Sequence, residues 1–191
     1  MKIGITGGIG SGKSFVCKLL EQHYGIAVYD CDTAAKRLMR NSEQLRKELS
    51  CLIGPDCYLS DGQLNKQAVA RFLLASDEHA HAIDAIVHPA VFRDFQESGY
   101  SWMESAILFE SGINRLVNQV VVVTAPVEVR LSRVMQRDGI GRQKALEWMQ
   151  RQWPQEQVRS KAHYEILNDG ITPVLPQIEK LINTINQINE K

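Results

Sequence analysis

The sequence feature that most constrains the fold is a glycine-rich segment at residues 7–14, which reads Gly-Gly-Ile-Gly-Ser-Gly-Lys-Ser. It matches the pattern GxxxxGK[ST] and stands between a β-branched run at 3–6 and an amphipathic stretch with Val16 and Leu20 on one face. When a glycine-rich loop connects a strand to a helix, its backbone N–H groups can converge on a phosphate at the N-terminus of the helix. We therefore predict a phosphate-binding loop rather than a glycine-rich turn that binds nothing.

Two side chains of this loop carry chemistry of their own. Lys13 places a positive charge where the β- and γ-phosphate oxygens of a nucleoside triphosphate would lie. The hydroxyl group of Ser14 can ligate Mg²⁺. We expect ATP as co-substrate and Mg²⁺ as cofactor.

The rest of the chain alternates between strand-like and helix-like segments. Apolar runs without polar alternation are typical of buried parallel strands, and runs with helical periodicity separate them. This alternation predicts a doubly wound, three-layer α/β/α fold with a mostly parallel sheet of about five strands. The expected strands are 3–6, 26–29, 105–109, 119–124 and 164–168, and the later helices are 127–136, 142–152 and 172–188.

We predict that residues 1–191 form a single domain with three kinds of segment. Residues 1–33, 101–136 and 162–191 form the core, and a helical insertion spans about 34–97. A lid of about 137–160 begins at a loop that has two glycines flanked by arginines.

Composition excludes several classes of partner and location. Lys and Arg total 22, as do Asp and Glu, so no net field draws the protein to nucleic acid or to an anionic membrane. The N-terminus lacks a signal-peptide pattern, and no apolar run is long enough to span a bilayer. The four cysteines form no CxxC pair. We expect a soluble, cytoplasmic protein with reduced thiols, either a monomer or a weak homo-oligomer.

Among proteins with such a loop, a GTPase switch and a small-molecule kinase need different additional sequence motifs. A GTPase needs DxxG and NKxD segments, and the nearest approach to the second, residues 65–68, ends in Ala instead of Asp. A kinase needs a carboxylate near the γ-phosphate. Asp30 and Asp32 follow the second predicted strand, at the sheet edge that holds the loop. The alternative for both acids is a solvated turn or helix-capping role.

Several segments resemble the dephospho-CoA kinase family. Residues 4–14 are similar to its GLTGGIGSGK[ST], and residues 29–35, Tyr-Asp-Cys-Asp-Thr-Ala-Ala, are similar to its VDADxIA. Residues 86–91, Ile-Val-His-Pro-Ala-Val, resemble its IxHPxV, and residues 106–110, Ala-Ile-Leu-Phe-Glu, resemble its PLLFE.

Toward the C-terminus, residues 137–139 resemble the RDG of the family's lid, and residues 168–170 resemble the NxG after its last strand. The resemblance thus runs in order through nearly the whole chain. It implies a P-loop NTPase-type fold and phosphorylation of the ribose 3′-hydroxyl of dephospho-CoA by ATP, which is the last step of coenzyme A biosynthesis. The helical insertion would receive the acceptor.

The loop pattern and the resemblance together assign roles to individual residues. Asp32 is the expected base, Lys13 and Arg137 are expected to be catalytic, and Ser14 would hold Mg²⁺. The expected acceptor contacts are Asp32, His88 and Glu110. The expected ATP contacts are Gly8, Gly10, Ser11, Gly12, Lys13, Ser14, Phe15 and Asn168.

The chain also departs from the family pattern. Phe15 stands where Ser or Thr usually follows the loop, although its backbone N–H can still meet phosphate. Trp148 stands at the place of an arginine on the lid helix, and Arg151 is the candidate to replace it. His163 replaces an Asp, and residues 105–106 replace the usual pair before the LLFE-like stretch.

Some residues keep two interpretations. His88 precedes Pro89, so it is either an acceptor ligand or part of a helix end. Glu110 either orients the acceptor or is an acid at a helix N-terminus. Arg130 is expected on a solvated helix face, whereas Arg133 lies closer to the glycine loop of the lid. Two rival functions also stay open, namely another P-loop kinase of nucleotides or small alcohols and a non-catalytic nucleotide sensor.

Overall fold

The computed structural model of the protein describes residues 1–189, so residues 190 and 191 of the predicted domain lie outside the described residues. Short 3-10 turns occur at Pro55–Cys57 and Ile113–Leu116. No helix within 1–189 is long and apolar enough to cross a lipid bilayer. In chain order the strands and helices are β1 (Ile3–Thr6), α1 (Lys13–Tyr24), β2 (Val28–Asp30), α2 (Cys31–Asn41), α3 (Glu43–Ile53), α4 (Lys66–Ala75), α5 (Asp77–Glu97), β3 (Trp102–Glu104), β4 (Gln119–Thr124), α6 (Val127–Asp138), α7 (Arg142–Gln150), α8 (Gln155–Lys161), β5 (Tyr164–Leu167) and α9 (Val174–Asn189).

The sheet has five strands in the order β2-β3-β1-β4-β5. β1 pairs in parallel with β3 and with β4, and β4 pairs in parallel with β5. Every residue of β1 is buried, as expected for a parallel strand that helices cover on both faces. The predicted α/β fold with a mostly parallel, five-stranded sheet is therefore confirmed.

The predicted third strand at 105–109 is wrong, because the strand lies earlier, at Trp102–Glu104. Residues 106–109 form a turn instead. Leu108 is fully buried in that turn, and its Cδ1 atom would lie 2.8 Å from a Cβ atom added to Gly4 on β1. The apolar run thus reflects a turn packed on the sheet, which an apolar pattern alone does not distinguish from a buried strand.

The described chain divides into two compact units, of which the first comprises residues 1–29 and the described residues from 100 onward. This unit contains the sheet except for Asp30, the last residue of β2, and its helices α1 and α9 contact each other. Their inward faces carry aliphatic side chains at helical spacing, so burial of this stripe holds both helices on the sheet. The core residues involved are Val16 and Leu20 of α1, Ile178, Ile182 and Ile185 of α9, and Ile5, Val121, Val123 and Ile166 of the sheet.

The second unit comprises residues 30–99 and is helical. The long helix α5 contacts α2, α3 and α4 within it, and Phe95 and Leu49 are among its fully buried side chains. The helix continues through Pro89, so the proposal that His88 and Pro89 end a helix is wrong. Proline removes one backbone hydrogen bond, and burial of the neighbouring Val87 and Val91 favours the helix despite that loss.

Candidate active site at the phosphate loop

The phosphate loop connects β1 to α1 and ends at Gly12, which has left-handed backbone geometry with φ of 95°. A Cβ atom at this position would lie 2.0 Å from the side-chain nitrogen of Asn168, so only glycine fits there. The loop is closed by a hydrogen bond from the N–H of Ser11 to the carbonyl oxygen of Gly8 at 3.1 Å. The N-terminus of α1 therefore opens directly from a tight backbone turn, as phosphate binding requires.

Lys13 lies at the first position of α1 and is held by two oxygen atoms. Its Nζ donates to the carbonyl oxygen of Gly7 at 2.9 Å and lies 3.7 Å from the carboxylate of Glu104. Glu104 is the last residue of β3, the neighbour of β1. The sequence interpretation missed it because it placed the third strand after this residue, so that no strand end drew attention to the acid.

Asn168 follows β5 and joins the loop through a buried side chain. Its Nδ2 donates to the carbonyl oxygen of Ser11 at 2.9 Å. Arg133 of α6 donates to the backbone oxygen of Asn168 at 2.9 Å, and the same nitrogen lies 3.4 Å from the carbonyl oxygens of Gly10 and Ser11. The structure thus brings together Asn168 and Ser11, which were both predicted to contact ATP, and it adds Arg133 as a third residue in contact with both.

A cavity of about 690 Å³ opens beside Gly12. Its wall is largely apolar, and Arg133 and Asn168 contribute polar atoms. A flat aromatic ring suits such a wall, because apolar surface takes the ring faces and a few polar groups fix its orientation. The apolar lining side chains include Phe15, Leu19, Pro173, Val174 and Leu175.

Arg130 is buried, with 5% of its surface exposed, so the prediction that it lies on a solvated face is wrong. Its Nε donates to the carbonyl oxygen of Ile9 at 3.0 Å. Burial lowers the pKa of this guanidinium group below its usual value. A spacing pattern describes only one helix, and it does not reveal that α6 lies against the backbone of a distant loop.

The predicted residue of the lid, Arg137, is the second to last residue of α6. Its guanidinium group makes a forked hydrogen bond to the carboxylate of Asp138, with contacts of 2.8 and 3.0 Å. This hydrogen bond raises the pKa of Arg137 and lowers that of Asp138. Glu110 lies elsewhere in the same unit and accepts a hydrogen bond from the backbone N–H of Trp153 at 3.1 Å.

Helix α7, which lies in the predicted lid, carries Trp148 on an apolar face. The ring packs in a cluster that includes Leu131, Val134 and Ala145 from α6 and α7. Arg151, the candidate to replace the missing arginine of the lid, follows α7 as an exposed residue.

Two of the predicted acceptor contacts, Asp32 and His88, belong to the helical unit, as does Asp30. Asp30 is the N-cap of α2, where its carboxylate accepts from the N–H of Thr33 at 2.9 Å and from the Thr33 hydroxyl at 2.7 Å. The capping alternative is therefore confirmed for Asp30. Asp32 is exposed in the first turn of the same helix. His88 lies 3.5 Å from the carboxylate of Asp84 on α5.

Within residues 1–189, no group of three or more His, Cys, Asp and Glu side chains could hold a metal ion. Ser14 is exposed at the second position of α1. Mg²⁺ is commonly bound through substrate phosphates with few protein ligands, so one exposed hydroxyl beside a phosphate loop fits this cation.

Comparison with known proteins adds independent evidence. The sequence model of a family described as dephospho-CoA kinase matches residues 1–173. A dephospho-CoA kinase from Bacteroides fragilis is 40% identical over 194 residues, covering 98% of this chain and 94% of that protein. One from Chlorobaculum tepidum is 33% identical over 202 residues, covering 98% of this chain and 96% of that protein.

Solved structures agree with this assignment. A crystal structure from Thermus thermophilus superposes with a TM-score of 0.78 at 34% identity, covering 98% of this chain and 96% of that one. Shikimate kinase from Acinetobacter baumannii, with a TM-score of 0.60 at 17% identity, covers 100% of this chain and 95% of that one and shares the fold alone. With the loop, the sheet order and these relatives all in agreement, the chain belongs to the dephospho-CoA kinase family.

Proposed function

We propose that this protein transfers the γ-phosphoryl group of ATP to the ribose 3′-hydroxyl of dephospho-CoA, giving coenzyme A and ADP in the last step of coenzyme A biosynthesis. The observation that carries the proposal is the cradle of Lys13, Asn168 and Arg133 around the phosphate loop of a chain that belongs to this family. Phosphoryl transfer depends mainly on positioning and charge stabilisation, and these residues supply both.

In this proposal the adenine ring occupies the apolar cavity beside Gly12, with Arg133 and Asn168 at its polar side. The polyphosphate then lies over the loop and the N-terminus of α1, where backbone N–H groups and the helix dipole favour negative charge. Lys13 would exchange its hydrogen bond to Gly7 for one to the β- and γ-phosphate oxygens.

Mg²⁺, held by Ser14 and the nucleotide phosphates, would neutralise charge that develops during transfer. Asp32 would accept the proton of the acceptor hydroxyl, since its carboxylate is exposed and its neighbour Asp30 is already used as a cap. Arg137 would add its charge from the lid, and His88 and Glu110 would orient the acceptor. Balanced charge gives no support for nucleic-acid binding, and the proposal includes a cytoplasmic protein that is monomeric or weakly self-associating.

The direct test is acceptor-dependent release of ADP. The protein would be incubated with Mg²⁺-ATP and, in separate reactions, with dephospho-CoA, nucleoside monophosphates and shikimate. We expect dephospho-CoA alone to stimulate ADP release and to yield coenzyme A. Stimulation by a nucleoside monophosphate or by shikimate instead would reassign the acceptor, and ATP binding without release in any reaction would indicate a nucleotide sensor.

A further inference from the structure

The backbone of Ile9, in the middle of the phosphate loop, is held at both of its polar groups by side chains. Its N–H donates to Oε1 of Gln152 at 2.7 Å, and its carbonyl oxygen accepts from Nε of Arg130 at 3.0 Å. Arg130 lies on α6, and Gln152 lies two residues after the end of α7. One residue of the loop is therefore held both by α6 and by the segment that follows α7.

The side chain of Ile9 is held by the same pair of helices. It packs against the apolar cluster that Leu131 and Val134 of α6 form with Ala145 of α7. The three residues are buried, with at most 1% of their surface exposed. The carbonyl and the side chain of Ile9 thus contact α6 and α7, and its N–H contacts the segment just after α7, so the loop has little freedom to change shape independently of these elements.

Gln152 is itself fixed from the other side. Its Nε2 donates to the carbonyl oxygen of Ala106 at 3.2 Å, so its amide group donates and accepts at once. The next residue, Trp153, donates its N–H to Glu110 at 3.1 Å, and its ring lies parallel to that of Phe109 with centroids 6.3 Å apart. The turn after β3 thus fixes the segment of Gln152 and Trp153 in place, and from this segment Gln152 contacts Ile9.

The guanidinium group of Arg130 gives a steric reason for the glycine at position 8. A Cβ atom on Gly8 would lie 2.2 Å from Nη2 of Arg130, so the guanidinium group occupies the space that any other residue would need. No Asp or Glu within 1–189 makes a salt bridge with Arg130. Burial of a guanidinium group without a carboxylate costs free energy, and its charge adds to the potential that the loop offers an anion.

We propose that Arg130 and Gln152 are positioning residues that hold the phosphate loop in its nucleotide-binding shape through the backbone of Ile9. The inference rests on the proposed role of this loop in binding ATP but not on the identity of the acceptor. A loop released from these two contacts samples other shapes, and nucleotide binding must then select one of them, which weakens the apparent affinity. Neither side chain needs to contact the nucleotide.

Gln152→Leu is the main test, because leucine has similar bulk but removes both hydrogen bonds of the amide. The affinity for Mg²⁺-ADP would be measured by calorimetry, and exchange of the Ile9 amide hydrogen would be followed by ¹⁵N NMR on the nucleotide-free protein. We expect ADP to bind roughly 5- to 10-fold more weakly, as loss of one or two hydrogen bonds predicts. Exchange at Ile9 should accelerate, because its N–H then has no acceptor.

Three further variants sharpen the test. Gln150→Leu is the matched control, since Gln150 is exposed at the end of α7, and it should change neither quantity. Gln152→Glu keeps an oxygen for the N–H of Ile9 but loses the donor to Ala106, so the Ile9 amide should stay protected. Arg130→Met removes the contact to the carbonyl and should weaken ADP binding by a similar factor. If Arg130→Met does not fold, the variants at Gln152 decide the matter.

A folded Gln152→Leu protein with unchanged ADP affinity and unchanged exchange at Ile9 would overturn the proposal. Weaker ADP binding that only follows a loss of thermal stability, with exchange accelerated throughout the unit, would overturn it as well by showing a general structural role. Both readouts omit the acceptor. A wild-type protein that binds ADP but does not phosphorylate dephospho-CoA would therefore refute the proposed function and leave this inference standing.

Discussion

The ammonium nitrogen of Lys13 lies 3.7 Å from a carboxylate oxygen of Glu104, and both side chains are largely buried at 10% and 13% exposure. The same nitrogen donates to the carbonyl oxygen of Gly7. The charge that the loop offers to a polyphosphate is therefore already engaged, and ATP must compete with a carboxylate for it. We therefore predict that Glu104 lowers the affinity of the loop for nucleotide.

Glu104→Gln should strengthen the binding of ADP in the absence of divalent metal. The substitution removes a negative charge that competes with phosphate for Lys13, and we expect affinity to rise about 5-fold, which corresponds to roughly 1 kcal/mol. Titration calorimetry in the presence of a chelator would measure it. Glu21→Gln, at an exposed position on α1, is the matched control. Weaker binding in Glu104→Gln would mean instead that the carboxylate organises the loop.

Lys13→Met should lower kcat by roughly 10²–10³-fold, because the transferring phosphoryl group loses a preorganised positive charge. Methionine keeps most of the length of the side chain, so the fold should persist. Steady-state kinetics would give kcat, and circular dichroism would check the fold. A folded variant with nearly normal kcat would remove Lys13 from the catalytic group.

Asp32→Asn should lower kcat by roughly 10²–10⁴-fold if Asp32 is the general base, with little change in ATP affinity. Asp30→Asn should cost much less, since asparagine caps a helix about as well as aspartate. Asp30→Ala should instead lower the free energy of unfolding by about 1 kcal/mol, through loss of the cap. Chemical denaturation and steady-state kinetics on the three variants would separate the two roles.

A larger loss of kcat in Asp30→Asn than in Asp32→Asn would reverse the assignment of the base. A loss of only a few-fold in both would mean that the acids position the hydroxyl without taking its proton, since phosphoryl transfer often needs little base catalysis.

Arg137→Ala should lower kcat more than it raises the KM for dephospho-CoA. In the structure the guanidinium group of Arg137 is paired with Asp138, so a contact with the phosphates requires it to leave Asp138, which we expect to accompany closure of the predicted lid. Steady-state kinetics with the acceptor varied at saturating ATP would separate kcat from KM. A pure increase in KM would contradict the role, and Arg151→Ala tests the second lid arginine in the same assay.

Local pattern was enough to predict the phosphate loop. The glycines, Lys13 and Ser14 lie within eight residues of one another, and their spacing relative to a strand and a helix defines the cradle. The parallel sheet also followed from runs of apolar residues without alternation, apart from the third strand, where a buried turn has the same apolar pattern as a strand. The assignments of Asp32, Arg137, His88 and Glu110 to roles in the reaction stay predictions.

What the sequence by itself determined is the part of the protein in which neighbours along the chain act together, namely the loop and the periodic faces of the helices, whereas the structure was needed to show that Asp30 is a helix cap. Only the tertiary structure decided that Arg130 is buried beneath the loop and that Gln152 holds Ile9, because these contacts join residues 121 and 143 positions apart. A spacing pattern carries no information about partners at that separation. The packing of α6 and α7 on the loop determines these partners, because it determines which polar groups are buried together and must therefore form hydrogen bonds with one another.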